Sequence, residues 1–594
     1  MDMRTRRAFL VQGAASAFAM ALHAQGPQST PTPGAPPAFG TAPAVGPSIS
    51  PADFEHAEKL LQVTLTPAER TEAAGNWQNS MAALVERRTG PRKVPLSDGL
   101  APATTWQPTS ITHAQFSGPS TQVFGHVAVS LPTNDEAIAF APVTHLSHWI
   151  KSRMLTSERL TRIYLARLKR YDPQLRCVIT LTEEHALQQA RAADTEIAEG
   201  KYRGVLHGIP YGAKDLLDTA GIATTYGAEP YRNRVPQKDS AVIHKLNEAG
   251  AVLVAKLSLG ALALNDIWFG GQTMNPWLLE EGASGSSAGP GAAVAAGLVG
   301  FAIGSETEGS IVSPSMRCGV TGLRPTYGRV PRTGAMTLAW SLDKLGPMAR
   351  GVEDTMMVLQ AISGQDSGDV ASVDAPLLFD ASQNVKGLRL GYVPKWMKES
   401  PATDVDRNAL EVAKQIGMLP VEVNLPDWPY DNLNTILFAE AAAAFEELTL
   451  TNADDQLKMQ VPDAWPNSFR QARFLSAVDF VQADRMRRAV AMEMERIMGQ
   501  VDLILVPSLR DEMLTITNFT GHPSLTLRAG FVHVNQARSD WAPDPKHPPQ
   551  VFTPGRRVPH GVTLIGKLFA EGTIVQAGIS LEKALGIMSE HPQL

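Results

Sequence analysis

The sequence predicts an α/β protein, a mixed central β-sheet surrounded by α-helices. Two observations carry this. From about residue 140, stretches with helical periodicity alternate with short apolar runs. The composition, 44% hydrophobic and 19% charged with 48 Gly and 43 Pro, is that of a globular chain.

The elements follow in order. Residues 144–171 form one helical pattern with Leu146, Trp149, Ile150, Leu160, Ile163, Tyr164 and Leu168 as its apolar stripe. Residues 183–199 form a second helix, and Leu206–Tyr211 a short strand. A helix over Ala241–Ala249 stops at Gly250, and Ala251–Lys256 (AVLVAK) is an apolar strand. Gly291–Gly304 is too short to span a bilayer, which needs about 18 residues, and reads as a buried helix running into a strand. Leu388–Val393 and Leu503–Val506 are strand-like, residues 400–500 are mainly helical, and Val562–Ile565 is a buried strand. No internal repeat is visible.

The N-terminal 130 residues stand apart from this body, which is assigned residues 131–594. Residues 1–24 carry Arg4, Arg6 and Arg7, then a mildly apolar Ala-rich run with small-residue cleavage sites, the pattern of an export signal. The run Thr5-Arg6-Arg7-Ala8-Phe9-Leu10 resembles a twin-arginine signal, so the mature protein is expected to be periplasmic or secreted. Residues 25–50, with seven prolines, read as a linker. Residues 51–130 are expected to be a helical extension. Ser50-Pro51 and Thr66-Pro67 each set an N-cap before a first-turn proline, and Glu69 is placed to complete a capping box with Thr66.

Charge and cysteine count exclude several classes. With 53 basic and 59 acidic residues the chain has no basic nucleic-acid footprint. Two cysteines, Cys177 and Cys318, exclude a disulfide scaffold and a multi-cysteine zinc site, and leave open whether the two pair.

Three segments carry the chemistry: Gly208–Asp215 (GIPYGAKD), Gly282–Gly291 (GASGSSAGPG) and Gly304–Pro314 (GSETEGSIVSP). The second and third are Gly/Ser loops flanking an Ala-rich helix. Glycine lets backbone approach a ligand closely, and consecutive N–H groups can form a nest for an oxyanion. A lysine that follows a short apolar strand can be desolvated, which lowers its pKa and lets it act as a base. Any one segment alone could equally be a flexible loop, and Lys214 a surface lysine.

Taken together, the set resembles the amidase-signature family of serine hydrolases. That family pairs a lysine in a G-[IV]-P-x-x-x-K-D segment with a Gly/Ser loop and a later G-S-I segment. Here Lys214 and Ser286 are 72 residues apart, and Ser286 and Ser310 are 24 apart, in keeping with it. The resemblance continues through Cys318–Arg329, Ser341–Arg350, Asn518–Pro523 and Gly561–Gly566, covering about residues 140–590. It implies the amidase-signature fold and hydrolysis of carboxylic amide C–N bonds through an acyl-enzyme.

By resemblance, Ser310 is the nucleophile, Ser286, which follows a cis peptide bond in the family, relays the proton, and Lys214, neutral at rest, is the base. Backbone N–H groups of Thr307, Glu308, Gly309 and Ser310 form the oxyanion hole, and Ser287 supports the network. No metal or organic cofactor is implied. The implied partner is a small-molecule amide, without nucleic acid or membrane insertion, and a homodimer is an expectation by analogy. Residues 370–500 look like the variable, substrate-selecting part, in which fatty, aryl, peptide amides and carbamates are all open. Two departures stand out. Many members have Gly at Glu308 and Arg at Val312, and the Glu308 side chain is expected to face away from the oxyanion, since a carboxylate there would oppose the developing charge. Pro290 replaces a small residue and fits the first turn of a helix.

Other readings compete. Gly285–Gly289 matches G-x-S-x-G, which would make Ser287 an elbow nucleophile, but that motif needs a strand immediately before it and residues 276–284 end in charge and small residues. Ser341-Leu342-Asp343-Lys344 matches S-x-x-K without its S-D-N partner. Gly561–Lys567 resembles a phosphate loop but has Leu568 where Ser/Thr is required. His207 and His522 read as structural, Cys318 as a packed thiol, and Trp268, Phe269, Trp277 and Trp340 as either pocket or core. Two further functions stay open: an inactive amide- or peptide-binding member, kept alive by Glu308, and the glutaminase subunit of a tRNA-dependent amidotransferase, which the export signal opposes.

Overall fold

The computed structural model describes residues 46–61, 66–80, 106–107, 118–125, 128–461, 464–473, 475–541 and 548–594. The signal and most of the linker, residues 1–45, lie outside them, as does the side chain of Glu69. The chain divides into two units, residues 1–95 and 96–594.

In the first unit the two proline-led helices run over Pro51–Leu61 and Pro67–Ser80. Ser50 caps the first, its N–H and Oγ both donating to the Asp53 carboxylate at 2.7 and 2.6 Å. Arg70 grips Glu58 through two bonds of 2.8 and 2.7 Å, and Phe54 meets Trp77 edge to face at 5.1 Å.

The second unit is built on an 11-stranded mixed sheet. From one edge the strands are Leu419–Glu422, Arg389–Tyr392, Leu503–Pro507, Val551–Gly566, Ser524–Gln536, Thr321–Arg324, Lys344–Ala349, Phe301–Glu306, Pro210–Lys214, Val252–Leu257 and Val178–Leu181. Pairing is parallel at one end (Leu419 to Leu503) and again from Phe301–Glu306 to Val252–Leu257, and antiparallel elsewhere. The strands Pro210–Lys214, Val252–Leu257 and Phe301–Glu306 are buried at every position. Tyr211 and Phe301 stack across neighbouring strands at 5.3 Å.

Several elements differ from the sequence reading, each for a local reason. The helical pattern of 144–171 is two helices, Val143–Lys151 and Ser157–Leu175. Arg153 turns the chain at φ +59°, and Thr156 starts a new helix by accepting the Arg159 N–H. Asp194 takes the N–H groups of Ser157 and Glu158 at 2.7 and 2.9 Å. Leu146, Trp149 and Ile150 of the first helix and Leu160, Ile163 and Tyr164 of the second enter one core, so the apolar period runs on across the break, while Leu168 packs in a second core. The strand expected at Leu206–Tyr211 begins only at Pro210, because Gly208 at φ +78° closes a turn before it. A strand does form at Leu278–Gly282, pairing with Met274–Asn275. Its charges are accommodated, since Glu280 stays exposed and buried Glu281 is held by Arg538. Thr121–Val123, which the sequence groups with the N-terminal extension, pairs in parallel with Leu378–Asp380.

Candidate active site

Lys214 ends its strand and is fully buried. Its Nζ lies 2.8 Å from Ser286 Oγ, 3.0 Å from Ser287 Oγ and 2.8 Å from Ser305 Oγ. No carboxylate lies within ion-pair distance of it among the described residues. Burial therefore pushes its amine well below the usual lysine range, and the more distant Asp343 and Glu306 only partly oppose this. A neutral amine has two N–H donors and one lone pair, so one of the three hydroxyls donates to it. Ser287 Oγ is committed to the Ser305 main chain, donating to its carbonyl at 3.0 Å and accepting its N–H at 3.1 Å. That leaves either Ser286 or Ser305 as the donor to Nζ.

The backbone brings these groups together through glycine. A Cβ at Gly304 would lie 2.8 Å from Ser287 Oγ, so the strand admits the serine loop only because residue 304 has no side chain. A Cβ at Gly285 would lie 1.7 Å from the Asn265 carbonyl. The Gly285–Ser286 peptide is cis. Ser284, at φ +63°, donates its hydroxyl to Asp540, and Arg317 holds the other oxygen of Asp540 at 2.8 Å. The Ala288–Ala295 helix follows, with Pro290 in its first turn.

Ser310 lies in the turn between the Phe301–Glu306 strand and the Val312–Cys318 helix. Its carbonyl accepts the Ser287 N–H at 3.1 Å, which ties the two serine loops together. Glu306 shapes this turn. Its Oε2 accepts the N–H groups of Ile311 and Val312 at 2.7 and 2.9 Å, while Oε1 accepts from Arg324 at 2.6 Å and from Asn518 at 2.8 Å. Burial alone would raise this carboxyl, but Arg324, the Val312 amide and Asn518 outweigh it and hold it down at about 2. The N–H groups of Thr307, Glu308, Gly309 and Ser310 have no acceptor among the described residues. Glu308 turns its side chain to Thr515, whose hydroxyl donates to it at 2.6 Å, and burial pushes its carboxyl up to about 7. Thr307 Oγ1 donates to Asp343 at 2.7 Å.

The competing motifs do not assemble. Ser287 is buried and saturated, and four residues separate it from the Leu278–Gly282 strand. Ser341 Oγ accepts from Arg487, whereas Lys344 Nζ turns to the carbonyls of Leu342 and Asn518. Gly561–Gly566 is strand. His207 accepts the Arg203 N–H at 3.1 Å and faces Glu196, and His522 bonds to Thr520. Cys177 and Cys318 are free thiols. Trp268 and Trp277 donate to the carbonyls of Arg176 and Cys318 as packed groups. The sequence reading assigned no role to Ser305, Glu306, Asp343, Arg324, Asn518, Thr515 or Asp540. The first two lie inside its third segment. Among the described residues no group of His, Cys, Asp and Glu could hold a metal, and no helix is long and apolar enough to cross a membrane.

This mixed-sheet body with its lysine–serine cluster defines an amidase-signature hydrolase acting on amides. The family model described as Amidase matches residues 159–575, and the chain belongs to that family. It is 32% identical over 440 residues to a glutamyl-tRNA(Gln) amidotransferase subunit from Marinomonas sp., covering 66% of this chain and 90% of that protein. It is also 32% identical over 485 residues to the putative amidase AmiD of Mycobacterium bovis, covering 78% and 98%. Among solved structures it is similar to the native peptide amidase from Stenotrophomonas maltophilia, with a TM-score of 0.65, 27% identity and coverage of 76% and 98%. A bacterial aryl acylamidase shares the fold at a TM-score of 0.64 and 21% identity, over 76% and 99%.

Proposed function

We propose that the chain is an exported amidase that cleaves carboxylic amides through an acyl-enzyme on Ser310. The observation that carries this is the buried, uncompensated Lys214 with Ser286 Oγ at 2.8 Å, beside a row of four N–H groups that ends at Ser310. Ser310 Oγ attacks the carbonyl carbon as its proton passes to Ser286 and the Ser286 proton passes to Lys214 Nζ. The N–H groups of residues 307–310 receive the oxyanion. As the C–N bond breaks, Ser286 protonates the departing nitrogen and is reprotonated from Lys214. Water then attacks the Ser310 ester by the same route, its proton reaching Lys214 through Ser286, and as the acid leaves that proton returns through Ser286 to Ser310 Oγ, which restores the neutral lysine. The signal-like residues 1–24 support export.

A fluorophosphonate probe with adduct mapping tests this reading. An adduct on Ser310 that weakens in Lys214→Ala and Ser286→Ala is expected. An adduct on Ser287 or Ser341, or none, would sink it.

A second reading is favoured by the amidotransferase relatives, namely that the chain supplies ammonia within a larger assembly. Stable co-purification with a tRNA-binding protein would support it over the exported hydrolase.

A further inference from the structure

A cavity of about 80 Å³ lies at the far ends of the two helices that follow the serine loops. Ala295 closes the first helix, Gly319 and Val320 follow the second, and the C-terminal residues Met588–Pro592 form one wall. Each helix has seven or eight residues, so at about 1.5 Å per residue the cavity is roughly 10 Å or more from the lysine–serine cluster.

Two arginines line it. Arg350 directs its donors to main-chain carbonyls, including Ala141 at 2.8 Å and Val299 at 2.7 Å, and to the Tyr164 hydroxyl at 3.2 Å, and contributes charge alone. Arg528 differs. It is 6% exposed, its Nη2 donates to the Ile587 carbonyl at 2.7 Å, and its buried Nε–H has no acceptor. No carboxylate lies within ion-pair distance of it among the described residues.

A buried guanidinium without a counter-ion is unfavourable, because desolvation of the charge is not offset. The rings of Trp277 and Phe531, 5.4 and 5.5 Å from its carbon, offset part of this. Glu590, which lines the cavity, and Glu582 are the acids whose charges favour the Arg528 cation, and each is already engaged elsewhere. Glu590 is engaged by Arg557 at 2.8 and 3.2 Å. Glu582 bonds to the Val352 N–H, and burial pushes it up to about 8, so it is mostly uncharged at neutral pH.

We propose that this cavity is a binding site for a small organic carboxylate, separate from the catalytic centre. The carboxylate would accept from the terminal N–H groups of Arg528, since its Nε–H is closed off from any water-sized group. Its apolar body would lie against Trp277 and against Phe140, which is stacked on His591 at 3.8 Å. Aromatic or branched acids fit such walls better than a compact inorganic anion.

Calorimetric titration of the full chain with benzoate, with benzamide as neutral isostere and inorganic phosphate as compact anion, tests the proposal. Benzoate is expected to bind, and benzamide and phosphate at least tenfold more weakly. Arg528→Met should weaken benzoate at least tenfold, whereas Lys214→Met should leave it unchanged. Benzoate binding lost in Lys214→Met but kept in Arg528→Met would overturn the proposal, as would tighter binding of phosphate or no binding of benzoate. If Arg528→Met does not fold, Trp277→Phe decides. A loss of at least threefold supports the site, and unchanged affinity overturns it.

Discussion

Replacing Glu306 by Gln should both destabilise the protein and slow its reaction with an acylating probe. All four hydrogen bonds to this side chain come from donors, two on each oxygen. Whichever way a Gln amide is placed, its NH₂ faces two of them. A carboxyl held at about 2 instead of its ordinary 4.5 corresponds to about 3 kcal/mol of folding stability at neutral pH. Breaking a buried ion pair typically costs about 3–5 kcal/mol, so a loss of roughly 3 kcal/mol or more is expected in urea unfolding at pH 7. The sign fixes the pH behaviour. The folded carboxyl is depressed, so its contribution is complete above about 4.5 and disappears as pH falls through about 2. Wild type and variant should therefore differ most near neutrality and converge in acid. Because Oε2 holds the Ile311 and Val312 amides directly after Ser310, labelling of the folded variant should slow at least tenfold. A variant within about 1 kcal/mol of wild type, with unchanged labelling, would refute the claim that Glu306 shapes the nucleophile turn.

Lys214→Met should remove amidase activity by a factor of about 10³ or more, in line with loss of a general base, yet leave stability equal or higher. The folded lysine is depressed, so its burial opposes folding at neutral pH, where the unfolded chain keeps it charged, and that penalty fades as pH rises toward 10.5. A strongly destabilised variant would argue for a structural lysine. Glu308, whose own N–H is one of the four in the row, becomes a carboxylate as pH rises through about 7. The kcat/KM of the wild type should fall several-fold above pH 7, and Glu308→Gln should flatten that limb. Identical alkaline profiles would show that the charge is not felt at the oxyanion.

The three glycine-rich segments were legible because each is compact in sequence and needs particular residue types. Gly304 must lack a side chain to admit Ser287, and Lys214 must follow an apolar strand to be buried. The partners that fix their geometry were not legible. Arg324 and Asn518 reach Glu306 from 18 and 212 residues away, Thr515 reaches Glu308 from 207, and Asp540 reaches Ser284 from 256. Arg324 and Asn518 fall inside stretches that carry the family resemblance, but nothing local says that they meet Glu306, and nothing marks Thr515 or Asp540 at all. The fold shows the same division. Alternating apolar runs announce a sheet, but a break at Arg153 between two helices that share a core leaves the hydrophobic period intact, and the order of eleven strands is a matter of distant pairing.

Burial alone does not make a lysine a base. Three lysines of the central sheet, Lys214, Lys256 and Lys344, are almost completely inaccessible. Lys256 pairs in register with Ala213, so it points to the opposite face from Lys214. There it meets Asp215 at 3.0 Å and Thr224 at 2.6 Å, and the carboxylate partly offsets its desolvation. Lys344 lacks such a pair and is pushed well down, as Lys214 is, but its amine faces main-chain carbonyls, which have no proton to give. Only Lys214 combines a missing counter-ion with hydroxyls that can both donate to it and carry a proton onward. Of the three, Ser286 is the one in the loop whose next residue, Ser287, bonds to the Ser310 carbonyl. The proposed reactivity therefore resides in what surrounds the amine. Introducing a carboxylate at Ser305, within 2.8 Å reach of Nζ, should hold Lys214 charged and silence the site without touching any proposed proton carrier. A Ser305→Asp variant that folds and still labels Ser310 at the wild-type rate would remove the neutral lysine from the mechanism.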